Sequence, residues 1–127
     1  MTFPTIRRKV TADMVALYGR VNNDRNMIHY DDAAARAAGF PGAVAHGAIT
    51  AAVLDEACRA HFGAAWSEAG RLDVKFVKPF FVGDTMSTHG QQNAPAREGA
   101  PAVWEVWCEN GAGEKVLVGE AALEGSA

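Results

Sequence analysis

Cysteine is scarce in this chain, and that scarcity is the first constraint on it. Cys58 and Cys108 are the only two among 127 residues, and they do not form a CxxC pair. A structural zinc site or a disulfide framework therefore has no basis here, and a reducing, cytoplasmic setting is the simplest expectation. Runs of basic residues are also missing. Twelve Lys and Arg stand against fifteen Asp and Glu, for a net charge of −3, which argues against nucleic acid as a partner. The opening "MTFPTIRRKV" has no apolar core, so no signal peptide is expected, and no hydrophobic run reaches the length of a membrane span. Internal repeats and low-complexity tracts are absent too. What remains has an ordinary globular composition, 49% hydrophobic and 21% charged. The length suits one domain over residues 1–127 with a modest core.

Halfway along the chain the pattern changes. "PTIRRKV" reads as a short strand, and "TADMVALYGRV" as a helix capped by Thr11, with Met14, Leu17, Tyr18 and Val21 at helical spacing. A polar loop, "NNDRNMIHYDD", comes next, overlapping an Ala-rich helix, "YDDAAARAAG", that Gly39 ends. "FPGAVAHG" is a structured connection punctuated by Pro41, Gly42 and Gly47. "AITAAVLDEACRAHFG" is the most apolar helical stretch. Ile49, Ala52, Val53, Ala57 and Ala60 are predicted to form its close-packing face, and Asp55, Glu56 and Arg59 a polar one with an Asp55–Arg59 ion pair. After it the period becomes two. "RLDVKFVKP" places Leu72, Val74 and Phe76 on one side, and "GDTMSTHGQQ", "PAVWEVWCEN" and "EKVLVGEAALE" follow between turn signals. The expectation is an α+β domain, with an antiparallel sheet carrying the long helix on one face. The exposed edges of that sheet favour pairing with a second copy.

Asp24 and His29 share the polar loop with Asn26 between them. Residues of these types ordinarily cap helices or form Asx turns. They are also the types that acid–base work on a water needs, because imidazole titrates near neutral pH and a partly desolvated carboxylate can be moved toward it. His61 and His89 have no partner in view and read as packing or surface residues. Trp104 and Trp107 lie on one strand and read as core or interface.

Three blocks, "DRNMIH", "GFPGAVAHG" and "VKFVKPFFVGDT", occur in the order and at separations that resemble the MaoC-like dehydratases, which include the R-specific enoyl-CoA hydratases. Asp24, Asn26, Ile28 and His29 match the family pattern Asp-x-Asn-Pro-Ile-His. His46 and Gly47 match its His-Gly pair, and Pro79 to Asp84 its approach to a strand. The resemblance implies a hot-dog fold, a curved antiparallel sheet wrapped round a long central helix, commonly as a homodimer with the acyl chain near the interface. It implies reversible addition of water to a trans-2-enoyl thioester, giving the R-3-hydroxyacyl product. The substrate is carried on coenzyme A or an acyl carrier protein, and no metal or redox cofactor is needed. Asp24 and His29 would hold and activate one water, and which of them takes its proton stays open, because the two can titrate as a coupled pair. The Gly47 amide would stabilise the enolate oxygen, since a glycine at a helix start lets a carbonyl approach its N–H. Asn26 is expected to order the loop and His46 the helix start. Ala48, Ala51 and Ala52 could leave room for an acyl chain. Two positions depart from the family. Met27 replaces a proline, and Asp55 falls where some hydratases carry serine. Either departure could mark a changed substrate, or a member that binds acyl thioesters without hydrating them. Two rivals stand beside the hydratase reading, a hot-dog thioesterase and a non-catalytic acyl-binding or assembly subunit.

Overall fold

The structure is a computed structural model, and it describes residues 2–124. Five strands form one antiparallel sheet, β1 (Arg7–Lys9), β2 (Gly70–Phe76), β3 (Thr85–Ala94), β4 (Val103–Glu109) and β5 (Lys115–Leu123), in the order β1-β3-β4-β5-β2. The helices are α1 (Ala12–Asn22), α2 (Asp32–Ala37), α3 (Gly47–Phe62) and α4 (Ala65–Ala69). This is the expected α+β arrangement, with the strands where the two-residue alternation put them and one long helix against the sheet. α4 is an addition, a single turn of helix in the "GAAWSEAG" segment that was expected only to end α3. No helix among the described residues is long and apolar enough to cross a membrane.

Local chemistry explains the element ends. The Thr11 hydroxyl accepts the Met14 N–H and starts α1. Asp31 caps α2 through the Ala33 N–H, and Gly39 follows its end at a positive φ of 97°. A bidentate ion pair, Arg8 to Glu56 at 2.8 and 3.0 Å, ties β1 to α3.

The core lies between α3 and the sheet. Leu54, Ala57 and Cys58 on the helix meet Met86, Val106, Cys108, Leu117 and Ala121, all fully buried. Removing a side chain such as Leu54 would cost about 2–5 kcal/mol, the usual range for a buried leucine cut to alanine. The buried face of α3 is Thr50, Val53, Leu54, Ala57 and Cys58, which is turned from the expected one. Ile49 and Ala52 instead line a groove against Met14, Leu17 and Tyr18 of α1, and Ala60 is exposed. Ile49 also packs against the core, whereas Ala52 is exposed in the groove. Both cysteines are free, and burial pushes their thiols up to about 12, so they stay protonated.

The paired register sets Thr88, Cys108, Leu117 and Phe76 in a single row across β3, β4, β5 and β2. Residues opposite one another share a face, so all four project toward the α3 side. The first three are fully buried, while Phe76 is 52% exposed, with Val74 at 37% and Val77 at 44%. The apolar face therefore continues past the cover that α3 provides.

Candidate active site

The polar loop is built from short local bonds. α1 ends at Asn23, a left-handed residue with φ of 53°, and the Asp24 N–H returns to the Gly19 carbonyl at 2.9 Å. Asp24 Oδ1 accepts the Asn26 N–H at 3.0 Å in an Asx turn, and Asn26 Oδ1 caps the 3-10 turn Met27–His29 through the Ile28 N–H at 3.3 Å. This leaves Asp24 Oδ2 free to face inward.

Val44 fixes the other end of the loop. Its N–H donates to the Ile28 carbonyl at 2.9 Å, and its own carbonyl lies 2.6 Å from His29 Nδ1. A carbonyl can only accept, so His29 Nδ1 carries the hydrogen and the neutral ring keeps Nε2 bare. Val44 also bridges to Phe81, and Ala45 N–H donates to Phe80. The "KPFFVGD" block holds the imidazole in place in this way. Asp84 in that block is a backbone tie, because its carboxylate accepts the N–H groups of Thr85 and Gly111.

Asp24 Oδ2 faces His29 Nε2 across 3.8 Å and His46 Nε2 across 3.4 Å. The two imidazoles stack at 3.8 Å with planes 24° apart, and the Tyr18 ring lies 4.6 Å from that of His46, tilted by 48°. His46 occupies the N-cap position of α3, yet makes no capping bond; its ring belongs to the carboxylate cluster instead. Only 4% of His46 is exposed. Burial lowers its pKa from the ordinary 6.5, the neighbouring His29 adds to this, and Asp24 opposes it. Sequence reasoning missed Tyr30, whose hydroxyl donates to the Asp24 carbonyl at 2.7 Å and lies 3.2 Å from His46 Nε2.

Asp24, His29 and His46 bring three potential metal donors within 4.8 Å of one another. Stacked rings so nearly parallel hold their in-plane lone pairs side by side, so one ring would have to turn before both nitrogens met at a single ion. A small polar molecule on Asp24 and one imidazole fits the arrangement as it stands.

Beside this cluster is a cavity of about 420 Å³ lined by His29, Gly47, Thr50, Phe76, Lys78 and Phe80 among others. Gly47, the first residue of α3, is exposed on its wall, and a Cβ there would lie 2.9 Å from the Phe76 ring. The start of α3 thus offers uncapped backbone N–H groups and the positive end of the helix dipole to anything bound in the cavity. Asp55 does not line the cavity. It accepts the Trp66 indole N–H at 2.8 Å and pairs with Arg59 at 3.0 Å. Ala48 and Ala52 line the α1–α3 groove, and Ala51 packs against the core.

A family model described as the MaoC like domain matches residues 2–110. The chain belongs to this family. Among its curated relatives, 3-hydroxyacyl-thioester dehydratase Y of Mycobacterium tuberculosis is 34% identical over 116 residues, covering 90% of this chain and 39% of that protein. 3-hydroxyacyl-thioester dehydratase X of the same organism is 35% identical over 79 residues, 62% of this chain and 27% of that protein. The chain therefore spans well under half the length of these two relatives. The solved (R)-hydratase from A. caviae involved in PHA biosynthesis superposes with a TM-score of 0.77 at 20% identity, covering 96% of this chain and 94% of that one. At that identity the likeness is one of fold, and the MaoC-like sheet and helix are the hot-dog fold.

Proposed function

We propose that this protein is a hydro-lyase that adds water reversibly, with R specificity, to trans-2-enoyl thioesters of coenzyme A or an acyl carrier protein, as a step of fatty acid metabolism. The observation that carries this reading is the 3.8 Å separation of Asp24 Oδ2 and His29 Nε2, beside a cavity on which the α3 N-terminus opens at Gly47. A water about 2.8 Å from each atom fits that separation. Its oxygen would attack Cβ, the double-bond electrons would move toward the thioester oxygen, and the Gly47 N–H would meet the charge that develops there. The proton taken from water would return to Cα on the same face, giving syn addition. Asn26 would hold the turn that aims Asp24, and His46 would order the carboxylate. The chemistry calls for no metal or redox cofactor. The uncovered β2 face supports a homodimer with the acyl chain near its interface.

Crotonyl-CoA tests the reading. Hydration removes the ultraviolet absorbance of the conjugated thioester without releasing thiol. Asp24→Asn and His29→Gln are each expected to lower kcat on the order of 10²- to 10⁴-fold, the usual contribution of a positioned acid or base. Thiol release would make the protein a thioesterase, and binding without turnover would make it an acyl-binding subunit.

A further inference from the structure

Tyr30 is not a member of the proposed acid–base pair, yet it touches both Asp24 and His46. Its ring enters a notch in α1. Any Cβ at Gly19 would overlap the Tyr30 hydroxyl, with the ring carbons Cζ and Cε1 2.7 and 3.0 Å away. A glycine inside a helix costs stability, and here it admits this side chain. The Gly19 carbonyl also accepts the Asp24 N–H, so notch, tyrosine and carboxylate are interlocked.

A phenol has one hydrogen to give. The Asp24 backbone carbonyl, 2.7 Å away, can only accept, so Tyr30 donates its hydrogen there. The 3.2 Å contact between the same oxygen and His46 Nε2 then needs a hydrogen from the imidazole. Asp24 Oδ2, at 3.4 Å from that nitrogen, makes the same demand, because a carboxylate repels a bare lone pair. His46 Nδ1 is buried and has no partner among the described residues. A hydrogen on Nδ1 would be a buried donor with nothing to receive it, the costlier of the two arrangements.

We propose that Tyr30, seated over Gly19, is a positioning residue that keeps the His46 hydrogen on Nε2, so that His46 donates to the Tyr30 oxygen and presents the same N–H to Asp24 Oδ2 3.4 Å away, while His29 faces that carboxylate with a bare nitrogen. Asp24 then stands between one donor and one acceptor. A water on Asp24 Oδ2 can give a hydrogen to His29 Nε2 and to no other ring nitrogen. His29 is the group that removes the proton, and Asp24 stabilises the imidazolium that forms. This assignment rests on the hydratase reading for its kinetic consequence and on geometry alone for its proton positions.

Two measurements test it separately. In protein labelled with ¹⁵N-histidine, nitrogen shifts near neutral pH report which atom of each ring carries hydrogen. The expected result is Nε2–H for His46, Nδ1–H for His29, and a His46 Nε2–H resonance protected from exchange. A hydrogen on His46 Nδ1 would overturn the proposal whether or not the protein is an enzyme. In the kinetic arm, Tyr30→Phe keeps the ring in its notch and is expected to lose that protected resonance and to lower kcat on crotonyl-CoA on the order of 10- to 100-fold with KM little changed, as misplacement of a reacting group does. His46→Gln, which keeps an N–H near Nε2, is expected to retain at least about ten times the kcat of His46→Leu. Unchanged kcat and resonance in Tyr30→Phe, or equal loss in the two His46 variants, would overturn the positioning role. A wild-type protein that leaves crotonyl-CoA untouched would overturn the hydratase reading instead, and the nitrogen shifts would still decide the proton positions.

Discussion

Met27 stands where the family pattern has proline, and the backbone around it is already shaped for one. It is the first residue of the 3-10 turn, where an N–H has no partner within the turn, and Asn26 before it is extended at φ −71° and ψ 114°. Its side chain is 51% exposed. Met27→Pro is therefore expected to raise stability by about 0.4–1 kcal/mol, chiefly by stiffening the unfolded chain, and urea denaturation would measure it. Histidine sets a second property at this scale. Burial holds both His46 and His61 below the ordinary imidazole value of 6.5. As pH falls through 6.5 the unfolded chain takes up protons that the folded chain does not yet bind. Stability must then rise with pH across that window and fall on acidification. Melting temperature should drop from about pH 7.5 to about pH 5.5. His61→Phe, set among Phe3, Phe62 and Trp104, should flatten the slope. A steeper slope in that variant would contradict this account.

The first turn of α3 carries the next expectation. The half-exposed Phe76 ring can turn away from a methyl group at Gly47, so Gly47→Ala should fold with a melting temperature close to that of the parent. On the hydratase reading it should nonetheless lose on the order of 10-fold or more in kcat, because the methyl would stand between a substrate carbonyl and the N–H. The long helices and the strands were legible in the sequence for a local reason. Alternation along β2 to β5 and capping at Thr11 are fixed by neighbours within a few residues. The buried face of α3 was only partly legible, because periodicity shows that a helix has an apolar stripe but not how far the sheet covers it; Val53 and Ala57 are buried, and Ala52 and Ala60 are exposed. Asp24, His29 and His46 could be named from their motif. Their arrangement depended on distances that no spacing encodes: His46 lies against a carboxylate 22 positions earlier and makes no capping bond to its own helix. Tyr30 gave no signal at all, since its partners lie 6 and 16 residues away along the chain.

At the scale of the whole molecule, the sheet has one fully buried row that opens at Phe76. No strand among the described residues pairs the outer edge of β2, and Val74, Phe76 and Val77 leave apolar surface beside the cavity wall. An edge of this kind invites a second copy. If the parent runs as the proposed dimer, Val74→Asp is expected to run as a monomer in size-exclusion chromatography with light scattering and, on the hydratase reading, to lose turnover of crotonyl-CoA. A monomeric parent would remove the basis for that expectation.

Val44 uses both of its backbone groups to hold the imidazole-bearing turn, its N–H on Ile28 and its carbonyl on His29. Its amide is therefore a gauge of whether that turn is docked. Deuterium should enter at this position each time the turn lifts away, and more often than it enters the strand centres, which open only when the whole molecule unfolds. Comparing that rate with and without a bound thioester would show how much of the protein's readiness for chemistry is set by the detachment of one short segment.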